Sequence, residues 1–204
     1  MKKIVLVLTC GLGVVFQTAA HSAPPSSTIF TKALLESLVA QKRDPGSQHG
    51  GRIESNYDGF NHETVVALRK MRVTCAKMDG NFKKDVCVNV AASLHCPGIQ
   101  LDHVRYATLQ LLFETEDWDQ RHPIDQRNLT VVADEETMRL GRMELVSQSV
   151  DTRMTEMLQV TIPYPTFKKI ALAEVVEVQV GRSTFELREK NIAALRDLNN
   201  RVKF

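Results

Sequence analysis

From residue 64 to residue 187 apolar and polar side chains alternate with period two in eight short runs, separated by turn-forming residues. In 64–73 the pattern predicts Val65, Ala67, Met71 and Val73 on one face of a strand, with Arg69 interrupting the row; Val86, Val88, Val90 and Leu94 form the next row, and Ala107, Leu109, Leu111 and Phe113 a third. Further strands are expected over 129–133, 138–146, 157–162, 176–180 and 184–187. Short strands at this spacing predict an antiparallel β-sandwich of about eight strands. Within 138–146 the apolar set changes parity at Gly141, from Met138 and Leu140 to Met143 and Leu145, which a β-bulge would accommodate.

Asp79-Gly80 is the strongest hairpin signal, and a two-residue turn there places Met71 opposite Val88, Val73 opposite Val86 and Cys75 opposite Lys84. A second hairpin is expected around Gly181, with Val176, Val178 and Val180 inward on one arm and Phe185 and Leu187 on the other. Elsewhere the period lengthens to that of a helix. Pro165-Thr166 with Phe167, Ile170 and Ala171 predicts one or two helical turns, and 189–202 carries Ile192, Leu195, Leu198 and Val202 on one stripe of a C-terminal amphipathic helix. Asn191, Asn199 and Asn200 weaken that helix's propensity, so its order is expected to come from docking, with Leu195 in the core.

The N-terminal quarter follows a different pattern. Met1-Lys2-Lys3, an apolar stretch over 4–16, and small residues around Ala20 and Ala23 before Pro24-Pro25 predict a signal peptide over 1–23. Cys10 is expected to leave with it. This segment is shorter than the roughly 20 apolar residues that a membrane span needs, and no later stretch comes nearer, so no transmembrane anchor is expected. Residues 24–51 then read as a short N-terminal helix over 28–39, with Phe30, Leu34, Leu35 and Leu38 on one side, and a polar, glycine-containing connection, "QKRDPGSQHGG". The sandwich domain with its C-terminal helix is placed at 52–204.

Processing changes the charge. Removing Lys2 and Lys3 leaves 24 basic residues against 24 acidic, so the mature chain is neutral and lacks the basic excess of a nucleic-acid binder. Export also favours oxidation of thiols. One disulfide is expected at Cys87, its partner either Cys75 or Cys96, with Cys75 read as a buried thiol. The two-residue turn disfavours Cys75–Cys87 unless the turn is wider, and Cys75–Cys96 spans too far along a straight strand. Cys87–Cys96 requires the chain to fold back through 91–95. A zinc site from Cys75, Cys87, His95 and Cys96 is disfavoured by the absence of a close Cys-x-x-Cys pair, and neither a metal nor another cofactor is expected.

No G-x-S-x-G, H-E-x-x-H, Walker-type or dinucleotide-binding motif is present, and no catalytic residue is assigned. His49, His62, His95, His103 and His122 are scattered across connections and strand ends. The densest candidate chemistry is "FETEDWDQRHP", where Glu116, Asp117 and Asp119 surround the single Trp118 and offer carboxylates beside a stacking platform. The expectation is an exported protein, periplasmic or secreted, with a non-enzymatic binding or envelope role and either another envelope protein or a glycan as partner. The alternative is a carbohydrate-active hydrolase or lyase whose paired carboxylates are drawn from Glu114, Glu116, Asp117, Asp119 and Asp134.

Overall fold

A computed structural model describes residues 48–77, 85–115, 122–150 and 154–202. The expected signal peptide and the helix over 28–39 lie outside them, as do Glu116, Asp117, Trp118 and Asp119. The described chain is mainly β. Ten strands form two antiparallel sheets: β1 (Ile53–Asp58), β2 (Glu63–Lys77), β3 (Asp85–Pro97), β4 (Tyr106–Thr115), β5 (Asn128–Ala133), β6 (Glu136–Arg142), β7 (Glu144–Val150), β8 (Met154–Pro163), β9 (Val176–Val180) and β10 (Ser183–Glu186). The larger sheet has the order β1-β2-β3-β4-β8-β7 and the smaller β10-β9-β5-β6. Two helices join them, α1 (Tyr164–Leu172) and the C-terminal α2 (Glu189–Asn200).

The strand count exceeds the expected eight for two local reasons. β1 pairs along β2 although none of its residues is fully buried and they carry no alternating apolar row. The run over 138–146 is two strands: β6 belongs to the small sheet and β7 to the large one, with Met143, 1 % exposed, at the corner between them. The bulge expected near Gly141 is present, since Leu129 opposes Gly141 while Thr130 opposes Arg139, and Gly141 has φ +89°. Leu145 does not continue the buried set. It lies on the edge strand β7 and is exposed.

The β2–β3 hairpin differs most from expectation. Leu68 opposes Ala92 and Met71 opposes Val90; Arg72 opposes Asn89 and Thr74 opposes Val88, so β2 holds one extra residue at each of two bulges. The first bulge, at Arg69-Lys70, reverses which side chains face inward. Val66 and Leu68 are therefore buried before it, and Met71 and Val73 after it, whereas Val65 and Ala67, expected inward, lie half-exposed on the outer face. Arg69 breaks the row because the backbone changes phase there. Lys77 opposes Asp85, so seven residues and not two lie between the paired ends of the strands; Cys75 in consequence opposes Cys87, not Lys84, and the two form a disulfide. Cys75 is exposed and not the buried thiol expected; that thiol is Cys96.

The core lies between the inner face of the large sheet and a second layer made of the small sheet and both helices. Val90, Leu109 and Leu111 from the first layer meet Leu129, Ile170 and Leu195 from the second around a small apolar cavity. Tyr164 links the helices by donating from its hydroxyl to Asn199 Oδ1 at 2.9 Å, and burial pushes its pKa up to about 12. Asn191 Oδ1 accepts the Arg188 N–H at the start of α2, and its Nδ2 donates to the Arg72 carbonyl of β2. Ahead of β1, His49 is tied to the C-terminal helix, its Nε2 lying 3.2 Å from Asp197 Oδ2 on α2.

Candidate functional site

Two polar arrays stand out, one on each face of the large sheet. Alternation puts Ser93 and His95 of β3, Tyr106, Thr108 and Gln110 of β4, and Gln159 and Thr161 of β8 on the outer face. Cross-strand register brings Ser93 opposite Thr108, Thr108 opposite Thr161, and Gln110 opposite Gln159. Glu63, at the start of β2, reaches the same patch. Its Oε1 lies 2.9 Å from His95 Nδ1, while His95 Nε2 lies 3.0 Å from Ser93 Oγ and 3.3 Å from Thr108 Oγ1.

An ionised carboxylate can only accept, so Nδ1 carries the ring proton and Nε2 accepts from the hydroxyls. Tyr106 stacks on the imidazole with ring centroids 4.3 Å apart. Burial first, and then the negative charge of Glu63, push the Tyr106 hydroxyl above the ordinary tyrosine range. Gln110 Nε2 donates to Gln159 Oε1 at 2.7 Å. Glu63 and Thr108 are only 6 % and 4 % exposed, and each reaches the His95 ring.

The second array is internal and joins the two sheets. Glu156 of β8, 1 % exposed, accepts from the backbone N–H of His122 at 3.1 Å and lies 2.7 Å from His122 Nδ1. His122 Nε2 lies 3.2 Å from the hydroxyl of Ser183, the first residue of β10. Phe113 lies against the imidazole with centroids 4.3 Å apart, and Phe185 meets Phe113 edge-on, so the polar chain is set in an aromatic wall. Arg127 Nε holds the His122 carbonyl at 2.8 Å.

In the sequence His95 stood out only as a ligand of a disfavoured zinc site and His122 not at all, because both acidic partners are distant in the chain: 32 residues separate Glu63 from His95 and 34 separate His122 from Glu156. One local signal existed: Ser93 and His95 share a face at an interval of two, which the strand period alone reveals. Of the five carboxylates considered for paired chemistry, Glu114 and Asp134 are described, and each is engaged elsewhere. Glu114 lies 3.0 Å from Lys70 Nζ and 3.3 Å from Arg72 Nη2, and accepts from Asn89 Nδ2 at 3.2 Å. Asp134 Oδ1 caps the N–H groups of Glu174 and Val175.

Cys96 projects to the core side. Burial first, then the charges of Asp102 and Glu63, raise its thiol above the usual range, which disfavours the thiolate that metal binding or nucleophilic attack requires. Among the described residues no group of three or more His, Cys, Asp or Glu is placed to hold a metal ion, and no helix is long and apolar enough to cross a membrane.

Fold and arrays together define a mainly β protein of two antiparallel sheets with a C-terminal helix and two carboxylate–imidazole–hydroxyl arrays. Comparison with protein-family models, with curated proteins and with solved structures finds no match.

Proposed function

We propose that this is an exported protein, acting in the periplasm or outside the cell, that binds a neutral polyhydroxylated ligand, a glycan, on the outer face of the large sheet. One observation carries the reading: hydroxyl, amide, imidazole and carboxylate groups of Glu63, Ser93, His95, Thr108, Gln110 and Gln159 are gathered with the Tyr106 ring on the sheet face opposite the core. A β-sheet holds such groups at fixed spacing, about 4.8 Å from strand to strand, so they are pre-organised and cost little entropy on binding. Sugars demand directional donors and acceptors beside an apolar platform, which hydroxyls, amides and a tyrosine supply. The expected signal peptide supports the location, and neutrality of the processed chain fits a neutral ligand.

Calorimetric titration with cello-, chito- and malto-oligosaccharides tests the binding. Thr161 is exposed on β8, directly opposite Thr108 at the border of this array, so Thr161→Arg should block binding of whichever series the parent takes, while leaving thermal unfolding within a degree or two. Binding equal in parent and variant, or to none of the three series, would remove the proposal. N-terminal sequencing of the secreted or periplasmic protein tests export separately; cleavage between Ala20 and Ala23 is expected.

A further inference from the structure

We infer that Ser183, His122 and Glu156 form a nucleophilic site able to cleave an acyl ester, distinct from the glycan-binding face and independent of it. The atoms are connected in the order such chemistry needs. Glu156 Oε2 faces His122 Nδ1 at 2.7 Å, and His122 Nε2 faces Ser183 Oγ at 3.2 Å. The carboxylate fixes the proton on Nδ1 and leaves the Nε2 lone pair directed at the hydroxyl. Burial is graded in the direction that reaction requires. Glu156 and His122 are 1 % and 6 % exposed, while Ser183 is partly exposed in the corner that follows the Gly181-Arg182 turn.

The turn itself is closely defined. Gly181 has φ +57°, and a Cβ there would lie 2.5 Å from the Gln126 carbonyl oxygen, so the hairpin sits tightly on the segment that follows His122. The pair is held by more than the side-chain contact: Glu156 also accepts the His122 backbone N–H, and Arg127 holds the His122 carbonyl. The Glu63–His95 array lacks one of these features, since its Nε2 is shared between Ser93 and Thr108 and no single hydroxyl is activated.

In the proposed step Ser183 Oγ adds to the ester carbonyl carbon as its proton passes to His122 Nε2, and the carbonyl π electrons move to oxygen. Collapse of that adduct breaks the acyl–oxygen bond; the departing alkoxide takes the proton from Nε2, leaving acylated Ser183. Water then repeats the sequence, giving a carboxylic acid and regenerating the serine. Only ester and water are consumed.

The test uses the intact chain, a fluorophosphonate probe with peptide mapping, and hydrolysis of p-nitrophenyl acetate. The parent should be labelled at Ser183. Ser183→Ala should lose the label and the catalysed hydrolysis altogether, with unfolding little changed because the Glu156–His122 contact remains. Glu156→Gln should lower hydrolysis by about a hundredfold. An unlabelled parent, labelling at another residue, or hydrolysis unchanged in Ser183→Ala would each overturn the assignment. So would a Ser183→Ala variant that loses stability from a parent that never reacted, since the serine would then serve only to join the sheets.

Discussion

At the scale of single residues, physical roles follow from environment more than from residue type. Leu195 was legible in the sequence: its place on the apolar stripe of 189–202 predicted burial, and it is 1 % exposed beside the apolar cavity of the core. Leu195→Ala should therefore destabilise by about 2–4 kcal/mol, the range for truncating a buried leucine, measured as a lowered midpoint of urea unfolding with unchanged slope. A loss under about 1 kcal/mol would mean that the cavity wall collapses around the alanine. The asparagines were only half legible. Composition marks Asn191 and Asn199 as poor helix formers, yet one caps the helix start and reaches the carbonyl of Arg72, and the other accepts from Tyr164. Their partners are remote in sequence, and propensity carries no information about such contacts. The same holds for His95 and His122, whose carboxylate partners only the folded sheet brings near.

At the scale of elements, strand existence was legible and strand phase was not. Each apolar row declares a strand, but a bulge alters phase by one residue without leaving an obvious sequence mark unless a glycine occupies it. Gly141 revealed its bulge; Arg69-Lys70 did not, and Val65 and Ala67 were assigned to the wrong face as a result. The polar segment ahead of β1 shows the opposite effect. "QKRDPGSQHGG" has the composition of a tether, yet its last residues are docked: His49 contacts Asp197, and a Cβ on Gly51 would meet the Met71 sulfur at 2.6 Å. Burial tends to raise the Asp197 carboxyl, but hydrogen bonds from Arg201 and His49 overcome it and hold the group below its ordinary value. Two truncations separate tether from anchor. Removing residues 1–51 should cost about 1 kcal/mol more than removing 1–47, read by urea unfolding of both, because only the longer deletion takes away His49. Equal midpoints would show that the His49 contact adds nothing, and a loss exceeding that of Leu195→Ala would place this segment in the core.

At the scale of the whole molecule, the Cys75–Cys87 bond joins directly opposed residues of β2 and β3 and encloses a short loop. A loop of this length contributes modestly through chain entropy, about 2–3 kcal/mol at most. Its second effect is on register, which the two bulges leave less tightly specified. Among the described residues the remaining thiol is Cys96, which lies in the core. For the chain lacking residues 1–23, thiol reagents should find none reacting rapidly in the native protein and one after denaturation without reductant. Three thiols on denaturation would remove the cross-link, and fast native reaction would place Cys96 at the surface.

The strand order of the two sheets has a consequence for how such a chain can be made. Along the sequence β1 to β4 belong to the large sheet, β5 and β6 to the small one, β7 and β8 to the large one again, and β9 and β10 to the small one. Each sheet thus waits for strands that lie beyond part of the other, and Leu195, close to the last described residues, completes the core they share. A ribosome delivering this polypeptide from its amino end releases no finished half along the way. Until β9, β10 and Leu195 have emerged, the apolar inner face of the large sheet has only part of the layer that covers it.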